Sequence, residues 1–432
     1  MRNLRSSGAL WRHAGFLRLW AAQTVSSFGA RIAREGFAMT AILSIHATPS
    51  ELGVLAALAR GPGVVVGLVA GGFVDRTSRR HVMIASDLGR AALILTIPLA
   101  AWFHLLSILQ LYLVAGFVGT ANVLFEIADH AFLPELIARE HLLDGNAKLA
   151  TTDSIAEIGG PALAGTLFQL FTAPFAMLGT AVTYLASSGF LFALPAKEDS
   201  HATPSAHARW YHDVAQGLAA IRAEPLVRPL LGMTTVFTFF GAFFAPLYLL
   251  FGLNVLGLSP ALMGVTIAMG GVGALSGASI SGALVRRLGV GRTILTCAFL
   301  YAAFLALVPL AHAPLLPATA MLMTAQLGGD GFALAFIIPA TSLRQAVLPA
   351  AMLGRTAAVF SAVAGGMTVA GAILGGILGG LIGVRPTLGI AVAGIATAPL
   401  FVAFSPLRTL RVIPDGFGGN VSAADAPASS QA

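Results

Sequence analysis

Gly71-Gly72-Phe73-Val74-Asp75-Arg76-Thr77-Ser78-Arg79-Arg80 separates two long apolar runs, and its reading decides the fold. Each flanking run approaches the roughly 20 mainly apolar residues that a helix needs to cross a bilayer. Between them there is room only for a tight turn. Gly71 lets the preceding helix lie close to a neighbour, and Asp75 meets the end of that span. Arg76, Arg79 and Arg80 hold the turn on the side of the membrane where Lys and Arg collect. Composition points the same way: of 432 residues 57% are hydrophobic and 10% charged, with mean hydropathy +0.85. An ordinary soluble domain carries about 25% charged residues, so this chain is solvated mostly by lipid. The net charge of +7 does not indicate nucleic acid, because the bases are dispersed among short loops with no basic stripe or interleaved aromatics.

Working outward, twelve apolar runs are centred near residues 30, 62, 92, 117, 159 and 184, then 240, 271, 301, 327, 367 and 394. The longest hydrophilic stretch, 196–225, divides the two sets. The expected organisation is an N-terminal six-helix bundle over 1–195, a cytoplasmic linker with an amphipathic lead-in over 196–225, a C-terminal six-helix bundle over 226–405, and a disordered cytoplasmic tail over 406–432. With both termini cytoplasmic, 20 of the 25 Lys and Arg residues fall on that side; Arg385 falls outside, and Arg31, Arg34, Arg60 and Arg90 lie within spans. The prediction is an all-α integral membrane protein with twelve transmembrane helices in two pseudo-repeat bundles. Arg2, Arg5, Arg12 and Arg18 precede a long first span with no short apolar core and cleavage site, so that span is expected to stay in the mature protein. Cys297 is the single cysteine and allows neither an intrachain disulfide nor a metal cluster.

The halves look like repeats of one another. Gly282-Ala283-Leu284-Val285-Arg286-Arg287-Leu288-Gly289 follows the eighth run as the opening stretch follows the second, with Arg286 where Asp75 stands. Small residues form ridges that permit close backbone approach in lipid: Gly63, Gly67 and Gly71; Gly273, Gly277 and Ser281; Gly371, Gly375, Gly379 and Gly383.

The opening stretch resembles the loop between helices 2 and 3 of major facilitator superfamily transporters, G-x-x-x-D-R-x-G-R-R, with Ser78 replacing one glycine. Gly159-Gly160-Pro161-Ala162-Leu163-Ala164-Gly165 resembles the G-P-x-x-G-G element of the superfamily's proton-driven exporters, with Ala164 for one glycine. Pro134-Glu135-Leu136, Asn146 and Gly160-Pro161, then Leu343-Arg344-Gln345, Pro349 and Gly354-Arg355, are similar to a bacterial subgroup containing macrolide, tetracycline and enterobactin exporters. Gln216-Gly217-Leu218 through Ile221-Arg222 and Pro225 is similar to that subgroup's amphipathic lead-in to helix 7. The resemblance covers about residues 14–405. It implies two halves rocking around a central site, with helices 2 and 11 and helices 5 and 8 as sliding contacts. It also implies export, a bacterial inner-membrane location and a cytoplasmic gate at Gly71, Asp75, Arg76, Arg79, Arg80, Asp87 and Arg90. Many relatives carry Gly-Asp in helix 1 where this chain has Gly29-Ala30, so a role for that aspartate does not transfer.

Ionisable residues inside spans point to mechanism, since even lenient scales charge about 2.5–3.5 kcal/mol for Asp, Lys or Arg at a helix centre. Arg31, Arg34 and Glu35 lie in the first run, Arg60 in the second, and Asp153 and Glu157 one turn apart in the fifth. At about 1.5 Å per residue, Glu35, Arg60 and Glu157 share a depth. Glu35 and Glu157 are the proton-exchange candidates, with Arg34 or Arg60 as competing partner and Asp153 nearby; permanent ion pairs tying the helices together are the plain alternative. Asp330, between Gly329 and Gly331, and Phe240 and Phe244 are candidates for a substrate cavity. The histidines show no metal-site spacing. No G-x-x-x-x-G-K-[ST] loop and no catalytic triad is present, so neither ATP, nor another cofactor, nor an enzyme is expected. The expected function is export of an amphipathic small molecule in exchange for protons, by a monomer surrounded by membrane lipid. Two other readings stay open: a lysophospholipid facilitator without proton coupling, and a non-transporting receptor.

Overall fold

Lipid offers the backbone no hydrogen-bond partner, so a chain this apolar satisfies its peptide groups inside helices. The computed structural model, which describes residues 10–69, 77–194, 210–312 and 314–414, is helical throughout, with no strand among the described residues. The N-terminal half comprises α1 (Ala14–Thr40, continued by a π turn, Ala41–Ile45), α2 (Pro49–Val69), α3 (Arg79–Trp102), α4 (Ile108–Leu136), α5 (Leu142–Leu170) and α6 (Ala173–Phe192). The C-terminal half comprises α7 (Arg228–Val255), α8 (Pro260–Leu288), α9 (Val290–Leu310), α10 (Leu315–Val347), α11 (Ala350–Ile382) and α12 (Val384–Ala403). Among the described residues nine of these are long and apolar enough to cross a membrane on composition alone. The other three are α1, α2 and α5, and α1 and α5 carry several charges near their middles. Each of the twelve falls on one of the apolar runs. Gly71, Asp75 and Arg76 of the opening stretch lie outside the described residues, as do linker residues 195–209 and the tail from 415.

Back-and-forth threading puts residues 10, 194, 210 and 414 at one end, here called the linker end. Each half packs internally, and the halves meet along α2–α11, α5–α8 and α2–α7. At the far end the apolar core is one cluster shared by both halves, running from Ile32, Leu52, Ile94 and Phe168 to Leu247, Leu253, Met263 and Leu322. At the linker end it splits into two. Phe16, Leu19, Met83 and Leu133 form one core in the N-terminal half, and Met233, Ile294, Leu343 and Val402 form another in the C-terminal half.

Two of the shortest connections rest on glycine. Gly289 (φ 87°) and Gly383 (φ 92°) are single residues between α8 and α9 and between α11 and α12, in the left-handed region where an L side chain is strained. Arg79 and Arg80, the described bases of the opening stretch, fasten neighbouring helix ends within the N-terminal half. Arg79 Nη1 donates to Ala131 O (2.7 Å) and Glu135 Oε1 (2.6 Å) on α4. Arg80 donates to Leu191 O (2.9 Å) and Phe192 O (2.8 Å), carbonyls in the last turn of α6. The amphipathic helix Trp210–Ala223 lies against the start of α11, where Gly217 meets the Arg355 backbone and Ile221 is buried.

The small-residue ridges have partners that spacing alone does not reveal. Gly63 faces Gly119 and Val123 of α4; Gly273 and Gly277 face Leu327 and Gly331 of α10; Gly371 and Gly375 face Phe239 and Phe243 of α7. These contacts lie within one half. The crossings between halves rest chiefly on other glycines, Gly53 of α2 against Gly376 of α11 and Gly165 of α5 against Gly264 of α8; of the ridges, Gly379 also meets Pro49 of α2.

Candidate functional site

Arg31, Arg34 and Glu35 are three and four residues apart and share one face of α1; Asp153 and Glu157 share one face of α5. Gly160 brings the faces together, because a Cβ there would collide with the stem of Arg31. Arg31 Nη2 then reaches both Asp153 oxygens (3.0 and 3.1 Å). Its buried Nε lies 2.7 Å from Glu157 Oε2, close enough for an ion pair but off the line of a hydrogen bond. Arg34 Nη2 donates to Glu157 Oε1 (2.8 Å), and Arg34 Nε donates to Glu35 Oε1 (3.0 Å). The result is one chain, Asp153–Arg31–Glu157–Arg34–Glu35. Glu157 is held by two arginines and Glu35 by one; the Glu35 side chain is 11% exposed against 40% for Glu157.

Arg60 of α2 faces the same region and feels the charges of Arg34, Glu35, Glu157 and Arg31, yet it has no hydrogen-bond or ion-pair partner among the described residues. Three arginines and three carboxylates thus balance formally, with one arginine unengaged.

Arg31, Arg34, Glu35, Arg60 and Asp153 border a cavity of about 860 Å³; Glu157, between the two arginines, is not part of its lining. The N-terminal half lines it with polar groups (Gln23, Arg31, Arg34, Glu35, Arg60 and Asn122) and with apolar ones (among them Phe37, Leu52, Leu55, Val118 and Leu149), while α7 contributes only the apolar Ala245, Pro246 and Leu249. Its lining extends to Glu126, Asp129, His130 and Asn146, towards the linker ends of α4 and α5. At the far end it is closed by the α2–α11 and α5–α8 crossings.

Several expected positions fall elsewhere. Phe240 packs on Gly394 of α12 and against Phe239 and Phe243, and Phe244 packs against the shared far-end core; neither lines the cavity. Gly394 of α12 offers a flat surface that the Phe240 ring fills, and Gly375 of α11 takes the neighbouring Phe243, while Ala245, Pro246 and Leu249 face the cavity. Asp330 is not in the lining either. It sits on α10 against Gly270 of α8, where a Cβ would collide with its carboxylate, and it has no hydrogen-bond partner among the described residues.

Asp87 and Arg90 pair as their spacing predicts, but deep within the N-terminal half. Arg90 also donates to Asn122 Oδ1 (2.7 Å) and Ser26 Oγ (3.3 Å) and lies between the rings of Phe125 and Tyr184 (4.5 and 4.3 Å). Ser187 Oγ donates to Asp87 Oδ2 (2.6 Å). This buried knot ties α1, α3, α4 and α6 together within one half, and its Ser26, Arg90, Asn122 and Phe125 also border the cavity.

Pro161 and Gly165 contribute through shape. Gly165 Cα and Gly264 meet with no side chain between them, beside the carbonyl of Pro161, so the Gly160–Gly165 element joins α5 to α1 on one side and to α8 on the other.

Three polar groups escaped the sequence-based candidates. Arg31 is the hub between α1 and α5, signalled only by its spacing from Arg34. Gln23 and Asp129 join α1 to α4 by a hydrogen bond at the cavity edge; the position of Asp129 near a helix end suggests a solvated face, whereas α1 covers it. No group of three or more potential metal ligands occurs among the described residues.

Two bundles that share a core at one end, part at the other and enclose a charged cavity have the architecture of a membrane transporter of the major facilitator type. The chain belongs to the transmembrane secretion effector family, whose model matches residues 5–414. Two relatives from Bacillus subtilis are described as uncharacterized MFS-type transporters. YfiS is 27% identical over 270 residues (62% of this chain, 64% of YfiS), and YvqJ is 26% identical over 242 residues (53% and 55%). The alignments thus span less than two thirds of either relative. Among solved structures, a bacterial homologue of the iron transporter ferroportin in its inward-facing state superposes with TM-score 0.72 at 16% identity, covering 90% of this chain and 97% of that one. A bacterial homologue of ferroportin in its outward-facing state gives 0.55 at 16% identity, covering 90% and 98%. These likenesses concern the fold.

Proposed function

We propose that the protein is a secondary active transporter that exports an amphipathic small molecule across the bacterial inner membrane in exchange for protons. The linker end is the cytoplasmic one, and a single chain suffices because it holds its own cavity. The observation that carries this reading is the division of the apolar core: shared at the far end, split at the linker end, with a charged cavity between. That is one endpoint of alternating access, and the higher TM-score to the inward-facing neighbour supports it. A cavity that offers both charged groups and apolar surface suits a molecule with a polar head and an apolar body.

Glu35 is the proton-exchange residue of this proposal. It is buried and depends on Arg34 alone, while Arg34 also serves Glu157. When the halves rock, Arg34 commits to Glu157, or Arg60 enters the network and redistributes the pairs. A buried carboxylate that loses its arginine takes up a proton rather than remain charged in a low-dielectric site. The proton then leaves when the pair re-forms on the other side. Asp153 and Arg31 hold α5 against α1 throughout.

The test is flux in proteoliposomes loaded with fluorescent amphiphiles under an imposed pH gradient. Gradient-driven movement of at least one amphiphile is expected, with loss in Glu35→Gln at unchanged protein yield. Movement indifferent to the gradient, or of a fluorescent lysophospholipid alone, would overturn proton exchange in favour of a lipid facilitator.

A further inference from the structure

A groove of about 600 Å³ between the linker ends of α7 and α12 belongs neither to the cavity nor to its charge network. Pro225, Arg228 and Pro229 line it from α7 and its lead-in; Leu400, Phe401 and Phe404 line it from α12. Gly232 shapes it, because any Cβ there would strike the Phe401 ring, which lies close against α7 as a result. Phe401 and Phe404 are 46% and 85% exposed. Phe401 and Phe404 carry no polar group, so at the ends of two membrane-crossing helices this exposed surface is suited to contact with lipid chains rather than water.

At the mouth stands Arg228, exposed and without a hydrogen-bond or ion-pair partner among the described residues. Some arginines at this end are engaged: Arg18, Arg79 and Arg80 donate to backbone carbonyls, and Arg408 reaches Ala403 O (3.5 Å). The side chains of Arg286, Arg287, Arg292 and Arg411 share Arg228's lack of a hydrogen-bond or ion-pair partner among the described residues, but of these five only Arg228 lines the groove. Glu224, four residues before Arg228, instead accepts from the backbone N–H of Leu226 (3.3 Å).

We infer that this groove binds an anionic phospholipid, with its phosphate on Arg228 and an acyl chain across Leu400, Phe401 and Phe404. A guanidinium presents forked donors that match phosphate oxygens. Basic pockets between transmembrane helices at a membrane face suit acidic headgroups. The surrounding medium here is lipid, so the apolar half of the groove is filled by a chain and the charged half selects the headgroup. The bound lipid bridges α7 and α12 at the linker end of the C-terminal half.

The experiment is thermal unfolding of the purified full chain in neutral detergent, titrated with phosphatidylglycerol or phosphatidylcholine. Phosphatidylglycerol is expected to raise the midpoint more than phosphatidylcholine. Arg228→Gln should weaken that extra effect about tenfold in lipid concentration, the loss of one charge-assisted contact. Arg287→Gln, a basic residue at the same end outside the groove, should leave it intact, and Phe401→Ala should weaken both lipids. Equal loss in Arg287→Gln and Arg228→Gln would show diffuse attraction and overturn the site. So would a full effect from inorganic phosphate alone, or an undiminished effect in Arg228→Gln. None of these readouts depends on transport.

Discussion

Replacing Gly264 with alanine tests how the far end is closed. A Cβ on Gly264 would stand 3.0 Å from Gly165 Cα and 3.1 Å from Gly165 N and would collide with the Pro161 carbonyl. All of these are backbone, so neither helix can yield by turning a side chain. Overpacking of this kind costs about 1–3 kcal/mol. The cost falls only on the conformation in which α5 and α8 cross here, so the ratio of linker-open to far-open molecules should fall by about 5- to 150-fold. The assay places a reporter cysteine at Ala30, in the cavity wall, in a Cys297→Ser background, and adds a membrane-impermeant maleimide from either side. Labelling from the linker side should drop and labelling from the far side should rise. Gly53→Ala should act likewise, since its Cβ would stand 3.0 Å from Gly376 Cα and press on Ala372 O. Gly366→Ala, with nothing within 4 Å, should label like the parent. Unchanged linker-side labelling in Gly264→Ala would refute the reasoning, because the crossing would then not be specific to one conformation.

Arg90→Gln should destabilise the chain by about 3–5 kcal/mol, because it strands the fully buried Asp87, and thermal unfolding would register it. Gly289→Ala should cost about 1 kcal/mol or more in the same assay through its positive φ, whereas Gly389→Ala, in open space, should not. In gradient-driven flux, Arg34→Gln and Glu35→Gln should be strongly non-additive because they share one contact; Arg31→Gln and Glu35→Gln, linked only through Glu157 and Arg34, should couple more weakly.

The positions of the helices were legible because a span in lipid needs an apolar run of fixed length, and short polar breaks such as the one ending at Ser78, before α3 begins at Arg79, punctuate those runs. The depth of the charged residues was legible for the same reason: Glu35, Arg60 and Glu157 do converge. Which charge meets which was not. That depends on how each helix is rotated about its axis, and the positions of Gly160, Gly165 and Gly264 set this for α1, α5 and α8 through contacts far apart in sequence. Arg31 therefore emerged as a hub and Arg60 without a partner, although depth alone treats them alike. The aromatic residues of α7 misled for a related reason. Phe240 and Phe244 suggest a ligand surface, but glycines on α11 and α12 draw the neighbouring rings into the half, and Ala245, Pro246 and Leu249 face the cavity. The Asp87–Arg90 pair was foreseeable from its spacing, whereas its burial required Ser26, Asn122 and Ser187 from three other helices.

The central claim is that the two halves rock, with the ends of α5 and α8 moving in opposite senses as Glu35 gains and loses a proton. Spin-label distances in lipid nanodiscs test it without knowledge of the substrate. Leu170 and Val265 report the far ends of the two helices, Leu143 and Leu288 their linker ends, and all four side chains are exposed. Between acid and alkaline pH the two distances should change in opposite directions, and Glu35→Gln should abolish the response. Distances that change together, or a Glu35→Gln protein that responds like the parent, would contradict the account.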